Sequence, residues 1–185
     1  MMRNRLAVAL AVAALAVPAF AQVKKVDVQG VQNFNQIDAV FACGGATDAT
    51  GVANLKKQGF ASIISFRLPT EQGVSEEEAA IKTTGIKYVH LPLNGAMPDP
   101  KVADEFLAAV SDKANQPAYI HCGGGGRAAA MWMIKRALKD GWTTERAADE
   151  ANAIAMLNPG LKTFATNYIA AHKYQRRPGI YEFTG

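Results

Sequence analysis

Short apolar runs alternate along this chain with longer stretches of helical periodicity. The first strand candidates are 26–28 and 39–42. Ser62-Ile63-Ile64-Ser65-Phe66 reads as a buried strand, and 87–91 and Tyr119-Ile120-His121 follow. Between them, Thr47 or Asp48 caps a helix running through Gln58 and stopped by Gly59. Ser75 caps a second helix whose first turn, Glu76-Glu77-Glu78, suits the helix dipole and which ends at Gly85. Asp99 and Pro100 read as N-cap and first position of a third, reaching about Lys113. A helix over 127–139 is followed by Gly141. Helices over 144–157 and 161–173, separated by Asn158-Pro159-Gly160, close the chain. Strand and helix in alternation predict an α/β fold, with a central, mostly parallel sheet flanked by helices. Met131, Ile134 and Leu138 recur at helical spacing and belong to a core, as do Val52 with Leu55 and Phe106 with Val110. Trp132 and Trp142 read as packing residues whose indole N–H groups need a partner.

The first 21 residues stand outside this pattern. Met1-Met2-Arg3-Asn4-Arg5 is a basic start, 6–17 is apolar, and Ala19-Phe20-Ala21 is an A-x-A cleavage signal. The segment reads as a bacterial secretory signal cleaved after Ala21, which gives a single domain over 22–185 and a periplasmic or secreted address. The apolar run is too short for a comfortable span, and no later run is long enough to cross a bilayer. Without Arg3 and Arg5 the net charge of +4 falls to +2, too mild to argue for nucleic acid. Lys173, Arg176 and Arg177 read as a solvated basic tail. His90, His121 and His172 are scattered and no Cys/His group has ligand spacing, so no metal site and no cofactor are expected.

The chemistry concentrates in His121-Cys122-Gly123-Gly124-Gly125-Gly126-Arg127. A thiol stands at a strand end, four glycines follow, and an arginine opens a helix. Loop and first-turn amides converge on one spot and bind an anion there. The same positive field favours thiolate. Arg127 adds a planar fork able to hold two oxygens of an oxyanion. A nucleophile beside an oxyanion cradle suits covalent group transfer.

Strand, His-Cys, glycine loop, Arg and helix together resemble the phosphate-binding loop of cysteine-dependent protein phosphatases. The chain is similar to bacterial dual-specificity and tyrosine-phosphatase-like domains, including the phosphatase-like domain of beta-lactamase-hydrolase-like proteins. Ile63-Ile64-Ser65-Phe66-Arg67 resembles that family's INLR strand, Tyr88 to Leu93 its YxHIPV strand, and Phe41 to Thr47 its opening Gly-rich turn. The resemblance implies Cys122 as nucleophile through a thiophosphate, with Gly123, Gly124, Gly125, Gly126 and Arg127 binding phosphate. It implies that His121 braces the loop.

Three positions depart from the family. Four residues, not five, separate Cys122 from Arg127; this spacing resembles rhodanese-type sulfurtransferases, whose cysteine carries a persulfide. Ala128 replaces a Ser or Thr that eases breakdown of the intermediate. Asn94 stands in the loop where an Asp supplies the general acid; Asp99 is the remaining candidate there, and it also reads as a helix cap. Three functions follow: phosphomonoester hydrolysis, sulfur transfer on Cys122, or anion binding without turnover. The matching partners are phosphorylated or sulfur-donor small molecules or proteins. Cys43, at another strand end, reads either as a redox partner for Cys122 or as a small buried hydrophobe. Arg67 is expected in a surface pair with Glu71.

Overall fold

The computed structural model describes residues 23–175. The segment 1–21 expected to be a secretory signal, Gln22, Arg176 and Arg177 lie outside the described residues. Among those described, no helix is long and apolar enough to cross a membrane.

A six-stranded sheet runs in the order β1-β2-β3-β6-β4-β5, with β1 Lys24–Lys25, β2 Asn35–Gln36, β3 Phe41–Gly44, β4 Ser62–Ser65, β5 Lys87–His90 and β6 Ala118–His121. β3, β6, β4 and β5 are parallel, and β1 and β2 extend the sheet antiparallel beside β3. Helices α1 (Ala49–Lys57), α2 (Val74–Thr84) and α3 (Pro100–Ser111) connect the parallel strands. α4 (Gly126–Leu138), α5 (Thr144–Ile154) and α6 (Pro159–Gln175) follow β6. The expected α/β fold is therefore present.

Alternation along the strands divides the core in two. Ala42, Ile63 and Tyr119 face one side, where they pack with Val52 and Leu55 of α1 and Ile81 of α2. Phe41, Cys43, Ile64 and Ile120 face the other, against Phe106 of α3, Met131 and Ile134 of α4, and Leu161 of α6. Trp132 is fully buried and its Nε1 donates to Glu150 at 2.7 Å, the partner its indole needed.

The N-terminal region departs from expectation. The 26–28 run is not a strand: Val28 makes only an isolated bridge to Val31. The polar pair Asn35–Gln36, which carries no apolar signal, pairs with β3 instead. β3 itself starts at Phe41 because Asp38 accepts from the amides of Val40 and Phe41 and holds 38–40 as a turn. Ser75 does not cap α2. Gly73, at φ 84°, takes that position, while the Ser75 hydroxyl bonds Glu76. α3 ends at Ser111, where Asp112 starts a separate short turn.

Gly44, His121 and Ser65 lie in register at the carboxyl ends of β3, β6 and β4. Ligands gather at this edge of parallel sheets, and the loops after these strands and after β5 meet there.

Candidate active site

Cys122 follows β6 directly and is 2% exposed. Its Sγ accepts the Gly125 N–H at 3.2 Å, and α4 begins at the next residue, so the sulfur sits at the positive end of a helix. The loop is tied on its other side: Ala46 N–H donates to the Gly123 carbonyl at 2.7 Å and the Cys122 amide to Gly44 at 3.4 Å.

Only one of the four glycines is demanded by backbone geometry. Gly125 has φ 104°, and a Cβ there would lie 3.1 Å from Ala155 and 3.2 Å from Asn33. A Cβ on Gly124 would meet nothing within 4 Å. We expect Gly125→Ala to cost at least ~1 kcal/mol and to abolish oxyanion binding, and Gly124→Ala to retain both. Thermal unfolding and calorimetric phosphate titration check the pair.

Arg127 is held by a residue the sequence reading paired elsewhere. Its Nη1 donates to Glu71 Oε1 at 2.6 Å and to the carbonyls of Phe66 at 3.0 Å and Leu93 at 3.1 Å; its Nη2 donates to Glu71 Oε2 at 2.9 Å. These contacts fill the end of the fork. The Nε–Nη2 edge of the guanidinium meets no oxygen acceptor among the described residues, the Cys122 sulfur interacts with the same group, and such an edge has the geometry that receives two oxygens of an oxyanion. Burial acts to lower the Arg127 pKa, but Glu71 and the Cys122 sulfur beside it raise it overall. Glu71 in turn is held down to about 2 from 4.5, first by the Arg127 hydrogen bonds and further by the Leu68 N–H, against the effect of burial.

Arg67 keeps the expected ion pair with Glu71, but it is buried rather than at the surface. It is 5% exposed, donates to Glu77 Oε2 at 2.9 Å and to the Gln72 carbonyl, and stays 3.6 Å from Glu71. Glu77 is fully buried and its other oxygen lies 2.8 Å from His121 Nε2. His121 Nδ1 lies 3.3 Å from the Cys122 carbonyl, and its ring stacks on Tyr119 at 5.3 Å. The Tyr119 hydroxyl donates to Gly45. His121 thus sits behind the loop, between a buried carboxylate and the backbone of Cys122.

Glu71 and Glu77 are the functional residues the sequence reading missed. Glu77 had a legible signal: Val74, Glu77 and Ile81 share one helical stripe, and all three are buried. Glu71, four residues from Arg67, offered only a local pairing. Asn33 was also missed; at φ 48° it donates to the Ile154 carbonyl at 3.0 Å and joins the α5 end to the loop.

Asp99 caps α3, accepting from Lys101 N–H at 2.9 Å, and is exposed. Asn94 is exposed and accepts from the Ala96 amide at 2.9 Å. Its loop nonetheless meets the site, because a Cβ on Gly95 would lie 3.7 Å from the Arg127 stem. Ala128, in place of a hydroxyl residue, is fully buried. Cys43 and Cys122 are both free thiols. Cys43 packs in the core, in register with Ile120, and burial above all raises its thiol pKa well above the usual value. Its surroundings are those of a small buried hydrophobe.

Residues 12–170 match the family described as a DSP-PTPase phosphatase fused to NAD+ kinase. A beta-lactamase hydrolase-like protein of Agrobacterium fabrum is 32% identical over 92 residues, 46% of this chain and 20% of that protein, so the chain spans about a fifth of that relative's length. Among solved structures, a putative phosphatase (DUF442) from Shewanella putrefaciens CN-32 superposes with a TM-score of 0.66 at 20% identity, covering 77% of this chain and 92% of that one. The core catalytic domain of the PP-IP phosphatase Siw14 from S. cerevisiae, in complex with citrate, gives 0.66 at 21% identity, covering 80% and 95%. At these identities the two structures speak for the fold, that of cysteine-dependent phosphatases.

Proposed function

The chain belongs to the DSP-PTPase phosphatase family, and we propose on that footing that it hydrolyses phosphomonoesters through Cys122. The observation that carries this reading is the open edge of Arg127 beside a sulfur that already accepts the Gly125 amide. The thiolate attacks phosphorus as the P–O bond to the leaving group breaks, the departing oxyanion takes its proton from water, and a second water then cleaves the thiophosphate to phosphate and free thiolate. Loop amides and Arg127 meet the equatorial oxygens, where charge develops in the transition state. Secretion, read from residues 1–21, is part of the same proposal.

Glu71 orients the arginine. Glu71→Gln removes the charge that fixes the fork, and kcat/KM falls on the order of 10²-fold. Its folded pKa of about 2 lies below the ordinary 4.5. The stability it contributes is therefore complete above about pH 4.5 and is lost as pH falls toward 2. Urea unfolding at stepped pH should show a shallower loss across that window in Glu71→Gln than in the parent chain.

Asp99 serves as a cap rather than as proton donor. Asp99→Asn keeps the cap and removes the acid, and initial rates on an aryl phosphate are expected to stay unchanged. Aryl phosphates suit the site because their leaving oxygen needs no protonation.

The four-residue spacing between Cys122 and Arg127 is the observation favouring sulfur transfer as a second reading. One experiment separates the two. The chain is quenched in acid during turnover of an aryl phosphate, or after incubation with thiosulfate, and its intact mass is read. A phosphoryl group on Cys122 supports hydrolysis; a single added sulfur in the second sample, with none of the first, replaces it.

A further inference from the structure

A cavity of about 640 Å³ opens beside the active loop, within the size range of small-molecule sites. Gly123, the residue after the nucleophile, forms part of its wall, and Arg67 lies in its lining. The position suits the alcohol part of a phosphomonoester whose phosphate rests in the loop.

The polar lining has the opposite character to the loop. Arg67 is its only cation, and that charge is met by Glu77 and by the Gln72 carbonyl, with Glu71 3.6 Å away. Against it stand three exposed carboxylates, Asp27, Asp48 and Glu76, together with three glutamine amides. Among the described residues none of these carboxylates is in an ion pair. Asp48 spends one oxygen capping α1 and Glu76 accepts from the Ser75 hydroxyl; their remaining oxygens are acceptors. The cavity, which touches the candidate oxyanion loop through Gly123, therefore carries net negative charge. A second phosphate on the substrate would be repelled there, while hydroxyl and ammonium donors would find acceptors.

We propose that this cavity receives the substrate's alcohol and selects one that is hydroxyl-rich and amine-bearing over one carrying a second phosphate. The proposal rests on the phosphatase reading of the loop. It is tested by titrating glucosamine 6-phosphate, glucose 6-phosphate and glucose 1,6-bisphosphate into the full chain carrying Cys122→Ser, at a pH where the amine is protonated. Affinity should fall in that order, on the order of tenfold from first to last, and the spread should narrow at high salt. Adding Asp27→Asn and Glu76→Gln should bring the three affinities together. Equal affinities in the parent, tightest binding of the bisphosphate, no binding of any of the three, or a spread that the two exchanges leave intact would each overturn the proposal. Turnover of para-nitrophenyl phosphate by the unmutated chain is followed separately. The expected binding order without turnover removes the phosphatase reading and keeps the cavity's selectivity; turnover without that order does the reverse.

Discussion

Cys122→Ser lowers turnover of para-nitrophenyl phosphate by at least ~10³-fold. A serine hydroxyl carries its proton at neutral pH, and the site offers it no adjacent base: both nitrogens of His121 are turned to the Glu77 carboxylate and to the Cys122 carbonyl. The cradle does not depend on the sulfur. Gly125 keeps its αL turn, and Arg127 stays clamped by Glu71 and two carbonyls. Inorganic phosphate should therefore still bind the variant, with an affinity near that of the parent chain. Initial rates beside a calorimetric phosphate titration check both halves. Turnover that survives the exchange would end the reading of Cys122 as nucleophile.

Glu77→Ala destabilises the fold by about 3–5 kcal/mol, the usual cost of removing one partner from a buried charge pair. The Glu77 side chain is fully buried, and the Arg67 guanidinium it faces is 6% exposed. Without the carboxylate, that cation keeps the Gln72 carbonyl and the looser pair with Glu71 at 3.6 Å, whose oxygens are already held by Arg127. Water reaches it poorly, so the desolvation cost is no longer offset. Glu77→Gln keeps the shape and the acceptor, and it should lose less. Urea unfolding at neutral pH ranks the two. A loss in Glu77→Ala no larger than that of an exposed carboxylate would mean the pair contributes little. The residue also backs His121, so anion affinity should weaken in Glu77→Gln even where the fold persists.

The strands that carry the site were legible because their neighbours are apolar on both faces. Ser62–Ser65 and Ala118–His121 are buried throughout, and a short apolar run bounded by turn residues signals such a strand. β2 was not legible. Asn35 and Gln36 are polar, and they become a strand only because β3 supplies a ladder and Asn35 finds acceptors at Asn33 and Ile154. The Ser75 cap failed for a related reason. Gly73 adopts a left-handed turn, so the chain enters α2 two residues early and α2 starts at Val74 rather than after Ser75. Asp99 could be read correctly because its cap is local: the side chain bonds an amide two residues on.

The same division runs through the site. Cys122, the glycines and Arg127 were readable from order alone, because a strand end, a side-chain-free loop and a helix start are consecutive in the chain and place themselves. The Glu71 clamp was not, since it joins positions 56 apart, and sequence gave Glu71 an equally good partner four residues away. Nor was the placing of Glu77 between Arg67 and His121, which needs β4, α2 and β6 to be packed first. Local chemistry, the strand–loop–helix order and the candidate nucleophile follow from short-range rules that a sequence carries whole. Which carboxylate meets which cation, and which edge of Arg127 is left for a substrate, depends on contacts that exist only once the sheet has brought distant loops to one edge.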